Sequence, residues 1–260
     1  MEWALIGGTG VEKLPLKHSS SLRVDTPYGL ISLETGMLGE KSLVFLKRHG
    51  EGHSVPPHLI NYRGNIWALK KMGVKKILAT GAVGSISADF HIGDIVLVDQ
   101  FLDFTKSRPQ TFFEGGEQGV LHVDVSEPYC PILRQRIVQC AENLGLTVKN
   151  GGVYVCTEGP RFETPAEIRM YKTLGGQVVG MTGVPEVVLA RELGMCYATL
   201  ALVTNEAAGI TQKPLTHSEV IATMNMLGET VAQLIEAIID NDIEDQGCYC
   251  STGNKEAGMF

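Results

Sequence analysis

The chain has 260 residues and carries 22 Lys and Arg against 29 Asp and Glu, a formal net charge of −7. That balance lacks the basic field which phosphate-backbone contacts need, so it disfavours nucleic acid as a main partner while leaving room for small anions held locally. A hydrophobic share of 44% against 20% charged argues against disorder over most of the length and allows a sizeable core without disulfide or metal staples.

Met1-Glu2-Trp3-Ala4 runs straight into a glycine turn with no basic or long apolar region of a secretory signal, so a cytoplasmic protein is expected. No apolar run approaches the roughly 18 residues of a membrane-spanning helix. No tandem repeat, low-complexity tract or Pro/Gly-rich linker divides the chain, and one domain over 1–245 with a short tail over 246–260 is the simplest organisation.

Taken in order, short apolar runs at Ala4–Ile6, Ser42–Leu46, Ile77–Thr80, Asp94–Val98, Val153–Val155 and Ala198–Val203 predict buried strands. Helical patterns lie between and after them, at Leu59–Met72, Pro131–Leu144, Pro165–Leu174, Pro185–Leu193 and Ser218–Ile239. In the last, Val220, Met224, Leu227, Val231, Leu234 and Ile238 recur at spacings of three and four, one apolar stripe. Three of the helices start with Pro, whose missing N–H costs nothing in a first turn. The alternation predicts an α/β fold, a single domain with a central sheet flanked by helices. Ligands in such folds meet the loops at the carboxyl ends of strands.

The unusual residues of this chain fall in those loops. Gly7-Gly8-Thr9-Gly10 follows the first strand, where small residues let backbone N–H groups and the Thr9 hydroxyl approach an anion. A dinucleotide fingerprint would need Gly at 13, which is Lys13, so the choice is between an anion cradle and a plain tight turn. Lys47 to His58 gathers three His, Arg48 and Glu51 after the second strand. Metal binding and an incidental solvated loop are open readings there. Oxyanion binding is favoured, because the planar guanidinium fork matches phosphate and the adjacent His49 can add a charge-assisted bond. Thr80-Gly81-Ala82-Val83-Gly84-Ser85 repeats the small-residue pattern. In Thr157-Glu158-Gly159-Pro160-Arg161-Phe162-Glu163, an aromatic followed by a carboxylate suits a flat heterocycle with a ring N–H, or else is core plus surface. Gly180-Met181-Thr182-Gly183 and Thr204-Asn205-Glu206-Ala207 complete the set. Of six Cys, Cys130, Cys140, Cys156 and Cys196 read as buried thiols. Cys248-Tyr249-Cys250 has a spacing too tight for the usual zinc knuckle, with no second pair nearby in sequence, and reads as a redox or stapling element.

The order GGTG, RHGEGH, TGAVGS, EGPRFET, GMTGVPE, TNEAAG and LTHSE resembles that of the trimeric-type purine nucleoside phosphorylases and methylthioadenosine phosphorylases, from about Ala4 to Ile239. RHGEGHSVPPH, NYRGNIWAL, SRPQTFF and EPYCP are most similar to the methylthioadenosine phosphorylase branch with its microbial purine nucleoside phosphorylases, and the C-x-C tail is similar to that of some archaeal members. The resemblance implies a nucleoside phosphorylase fold and phosphorolysis, in which phosphate attacks the anomeric carbon and releases a free purine and ribose 1-phosphate. It implies that Thr9, Arg48, His49, the Gly81-Ala82 backbone and Thr182 hold phosphate, and that Met181 lines the ribose pocket. Phe162 would pack on the purine, with Glu206 and Ala207 beside it, and His122 would reach the substrate of a neighbouring subunit. Inorganic phosphate is then a co-substrate, no metal or organic cofactor is needed, and a homotrimer or a dimer of trimers is expected.

Hydrogen-bond complementarity bears on the base. A 6-oxopurine presents an O6 acceptor and an N1–H donor, whereas adenine reverses both. Methylthioadenosine enzymes carry T-D-x-D where this chain has Thr204-Asn205-Glu206-Ala207, so Asn205 can donate to O6 or N7 and stabilise the leaving purine. Glu163, standing where adenine-specific relatives have a small hydroxyl residue, can accept N1–H. Both point to inosine and guanosine. His217, in the segment that meets the 5′ group, favours a hydroxyl there. The alternatives are a methylthioinosine or methylthioadenosine phosphorylase, a non-catalytic purine sensor and, more remotely, a metal-dependent hydrolase built on the His cluster.

Overall fold

A computed structural model describes residues 1–8, 16–211, 215–241 and 248–252. Its strands are β1 (Trp3–Gly7), β2 (Lys17–Thr26), β3 (Gly29–Leu38), β4 (Lys41–Lys47), β5 (Lys76–Ser85), β6 (Ile95–Leu97), β7 (Gln100–Phe104), β8 (Val148–Asn150), β9 (Val153–Thr157), β10 (Val178–Gly180) and β11 (Cys196–Glu206). Its helices are α1 (Tyr62–Lys71), α2 (Pro131–Asn143), α3 (Pro165–Thr173), α4 (Gly183–Glu192) and α5 (His217–Asp240). All the strands join one mixed sheet, running β2-β3-β4-β1-β5-β10-β9-β7, with β11 on β5 and β6, and β8 on β6.

Each predicted strand and helix is present, and the helix ends follow local chemistry. α3 begins with a capping box in which Thr164 and Glu167 satisfy each other's backbone N–H groups. The first helix starts at Tyr62 rather than Leu59, because Asn61 caps it by accepting from the Gly64 N–H, while Pro57–Leu59 forms a separate 3-10 turn. α4 is buried on nearly every side, Val184 is extended within it, and regular helix begins at Pro185 as the sequence predicts. The stripe of α5 packs with α2, β1 and β11 in one apolar layer, and the opposite face of the sheet is covered by α1 and α4 in another.

The β2–β3 ribbon has no counterpart in the sequence reading. Its first strand, KHSSSLRVDT, is mostly exposed and lacks the apolar signal of a buried strand. β7, β8 and β10 are equally silent, the last two because they are three residues long.

One feature of the topology places the site. Along one edge, β5 pairs with β1 through Lys76–Ala79 and with β10 through Gly84 and Ser85. Between them, Thr80 to Val83 have no strand partner on that edge among the described residues. Their backbone polar groups must find other partners, and the sheet opens there. This is a switch point of the kind at which α/β sheets take ligands.

Candidate active site

A cavity of about 380 Å³ opens at that switch. Its wall is built from the carboxyl ends of six strands: Gly8 after β1, Arg48 and His49 after β4, Gly81 to Gly84 within β5, Phe162 and Glu163 after β9, Gly180 to Thr182 from β10, and Thr204, Asn205 and Ala207 from β11. The size suits a small organic ligand.

At one end lies Arg48, whose side chain is almost fully buried. Its Nε and Nη2 donate to the two carboxylate oxygens of Glu186 on α4, 2.8 Å each, and Nη1 donates to the Thr80 carbonyl at 2.8 Å. Burial alone would push the guanidinium down, but the charge and hydrogen bonds of Glu186 outweigh it and hold Arg48 protonated. Three of its five N–H groups are thus engaged, leaving one on each terminal nitrogen for a ligand. Glu186 is 0% exposed and also accepts the Tyr197 hydroxyl at 2.6 Å. A Cβ at Gly8 would lie 2.9 Å from Arg48 Nη1 and from the Thr80 carbonyl, so only glycine lets β1 end against the guanidinium.

His49 follows on the same loop. Its Nδ1 lies 2.8 Å from the Val55 carbonyl, which can only accept, so Nδ1 carries the proton. Burial pushes the ring down to about 4; the Val55 bond opposes this and the Arg48 and His53 charges add to it. A neutral imidazole protonated at Nδ1 has an acceptor at Nε2. The ring stacks on His53 at 4.0 Å.

The remaining polar groups of this end come from backbone and hydroxyls. Gly81 and Ala82 line the cavity in the unpaired stretch of β5, with the Thr182 hydroxyl facing Gly81. The N–H groups of Thr182 and Gly183 are taken by the Tyr154 hydroxyl at 3.3 and 3.4 Å, so Thr182 offers the cavity its side chain.

The other end is suited to a flat heterocycle. Phe162 is 40% exposed and faces the cavity. Glu163 is buried, accepts the Thr157 hydroxyl at 2.7 Å, and is pushed up mainly by burial. Asn205 accepts from the Thr204 hydroxyl at 2.9 Å and donates one amide hydrogen to the Glu206 carbonyl at 2.9 Å, leaving its second donor free for the cavity. Thr204 and Asn205 are consecutive yet both line the wall. A register shift against β5 falls between Val203 and Asn205, and such bulges re-aim side chains.

The structure therefore brings together Arg48, His49, Gly81, Ala82, Phe162, Glu163, Met181, Thr182, Asn205 and Ala207. Glu206 is a correction to the sequence reading: its side chain is not in the lining, because the strand sends it to the other side from Asn205 and Ala207. His122 is exposed and outside this cavity. Thr9 and the side chain of His217 lie outside the described residues.

Two residues the sequence reading did not assign hold the site together. Glu186 stood in the quoted GMTGVPE, but its partner is 138 residues away. Arg108, in the SRPQTFF stretch, is buried and donates to the Tyr62 hydroxyl and to the carbonyls of Val184, Thr157 and Glu158. It ties the end of β9 to the start of α4.

Residues 2–240 match the phosphorylase superfamily, and the chain belongs to that family. It is 51% identical to the 6-oxopurine nucleoside phosphorylase of Pyrococcus furiosus, over 98% of both chains. It is also 51% identical to the probable S-methyl-5′-thioinosine phosphorylase of Methanopyrus kandleri, over 96% of both. Among solved structures, methylthioadenosine phosphorylase from Schistosoma mansoni in complex with adenine superposes with a TM-score of 0.88 at 34% identity, covering 92% of this chain and 91% of the other. The protein is an enzyme of the nucleoside phosphorylase type, with the α/β fold of that group.

Two outcomes follow from the site's electrostatics. Replacing Glu186 with Ala leaves the Arg48 charge buried without its partner and is expected to cost about 3–5 kcal/mol in chemical denaturation. For His49, the folded value of about 4 lies below the ordinary 6.5. The unfolded chain therefore takes up the proton first, and stability falls as pH drops from 6.5 towards 4, by up to about 3 kcal/mol. Denaturation curves across that range should show a shallower pH dependence for His49→Gln than for the parent, and equal slopes would refute the assignment.

Proposed function

We propose that the protein carries out phosphorolysis of 6-oxopurine nucleosides, inosine and guanosine, in purine salvage in the cytoplasm. The observation that carries this reading is the division of one cavity into an anion-suited end, at Arg48, His49, Gly81-Ala82 and Thr182, and a heterocycle-suited end, at Phe162, Glu163 and Asn205. The names of relatives about half identical over nearly the whole chain agree with it.

Phosphate held against the two spare Arg48 N–H groups sits beside the sugar, and its negative charge offsets the positive charge that develops on the ribose. A new bond forms from phosphate oxygen to the anomeric carbon as the bond to the purine N9 breaks, and the electron pair leaves with the base. The free amide hydrogen of Asn205 stabilises that pair at O6 or N7. His49, neutral with an acceptor at Nε2, can receive the hydroxyl of monohydrogen phosphate. Glu163 accepts N1–H and discriminates against adenine. Phosphate is the co-substrate, and the reaction needs no organic cofactor or catalytic metal. Subunits associate as a homotrimer or a dimer of trimers, in which the exposed His122 reaches a neighbour's cavity.

A second reading, S-methyl-5′-thioinosine as substrate, is favoured by the apolar Leu215 and Val220 in the lining near the start of α5. It shares the 6-oxopurine base and differs only at the 5′ group. Base release from inosine, guanosine, adenosine, methylthioinosine and methylthioadenosine, with and without phosphate, tests both. Phosphate-dependent release of hypoxanthine and guanine is expected, and Asn205→Asp should lower kcat/KM for inosine by about 10²–10³-fold. Preferential release of adenine would overturn the base assignment, and purine binding without product at any phosphate concentration would favour a sensor.

A further inference from the structure

The C-x-C tail finds its second pair in space. The sulfur atoms of Cys130, Cys196, Cys248 and Cys250 all lie within 4.8 Å of one another. Cys130 is the N-cap of α2, Cys196 opens β11, and the other two come from the tail, so three separate segments converge. Three of the four residues are buried, Cys248 is half-buried, and all are free thiols.

We propose that these four cysteines form a tetrahedral thiolate site for one zinc ion. At a Zn–S length of about 2.3 Å, the sulfurs of a tetrahedral site stand about 3.8 Å apart. The Cys196 and Cys248 sulfurs are 3.4 Å apart, a separation that closing on a shared ion adjusts by a few tenths of an ångström. Two disulfides would draw the sulfurs together in pairs at about 2.05 Å, whereas one ion holds all four at a common spacing. The surroundings of Cys130 favour thiolate. Cys130 Sγ accepts the Leu133 N–H at 3.5 Å, at the positive end of the 13-residue α2. The register partner of Cys196 on β5 is Lys76, a buried ammonium whose Nζ lies 5.5 Å from the centre of the Trp3 ring, in the same apolar layer as three of the cysteines. It partly offsets the double negative charge of a zinc tetrathiolate. On binding, each thiol gives its proton to solvent and no electron is transferred.

None of the four lines the cavity, so the ion is structural and fastens the tail to the body. The tail passes close over Gly194, where an added Cβ would meet Cys250 and Ser251 backbone at 3.4 Å. The sequence reading expected no metal site and took the C-x-C tail as a redox or stapling element; the zinc site departs from both without entering the chemistry.

The test is elemental analysis with intact-mass measurement on the full chain, purified and then reconstituted with zinc under reducing conditions. One tightly held zinc per chain is expected, released by a mercurial thiol reagent and detected with a chromogenic chelator. The Cys248→Ser/Cys250→Ser variant should lose that zinc and melt at a lower temperature. Cobalt taken up in its place should show the absorption bands of a tetrahedral tetrathiolate site, a readout that needs no variant to fold. Zinc retained by the double variant, no zinc after reconstitution, or a chain lighter by four hydrogens through two disulfides that stays metal-free after reduction would each overturn the proposal.

Discussion

The buried pair of Arg48 and Glu186 is the constraint on which the site depends. A guanidinium in an apolar interior carries a desolvation penalty of several kcal/mol, which only excellent geometry offsets. Here the geometry is a two-pronged fork on a fully buried carboxylate, with a third bond to a main-chain carbonyl and a tyrosine hydroxyl closing the network. The pair fixes the end of β4 against α4, β5 and β11 at once. It also orients the remaining donors, since two prongs bound leave the spare N–H groups in a fixed plane.

The sheet supplies the rest. β5 changes partners along one edge, and the four residues between partners leave the Thr80 carbonyl for the Arg48 fork and further backbone polar groups facing the cavity, while the Thr80 side-chain hydroxyl accepts the Gly8 N–H. A regular parallel sheet would have satisfied those groups internally and closed the cavity. The bulge in β11 acts on the opposite wall by turning two successive side chains inward. The anion-suited and heterocycle-suited ends of the cavity thus adjoin at the place where strand pairing is interrupted.

Much of this was legible in the sequence where the signal is local. The buried strands appear as continuous apolar runs, the last helix as an apolar stripe at spacings of three and four, three other helices by Pro at their starts, and Arg48, His49, Phe162, Glu163 and Thr182 in loops after strands, while Asn205, read as following a strand, lies within β11. What stayed hidden depends on contacts distant in sequence or on backbone detail. Glu186 reads as an ordinary acidic residue in a first helical turn until the fold brings Arg48 to it. Arg108 acts through carbonyls, which leave no trace in residue identity. Glu206 looked like a neighbour of Asn205, and strand alternation separates their side chains. The β2–β3 ribbon is too polar to show the pattern of a buried strand, and Cys130 and Cys196 lie far along the chain from the tail that joins them.

The proposed reaction requires one cavity to hold a phosphate at Arg48 and a 6-oxopurine at Asn205 together. A crystal structure with hypoxanthine and phosphate both bound tests it most directly. The expected result is phosphate within hydrogen-bonding distance of the Arg48 guanidinium and the Gly81-Ala82 backbone, with the purine against Phe162 and its O6 or N7 on the Asn205 amide. Phosphate bound away from Arg48, or a purine turned so that Asn205 and Glu163 make no contact with it, would contradict that claim.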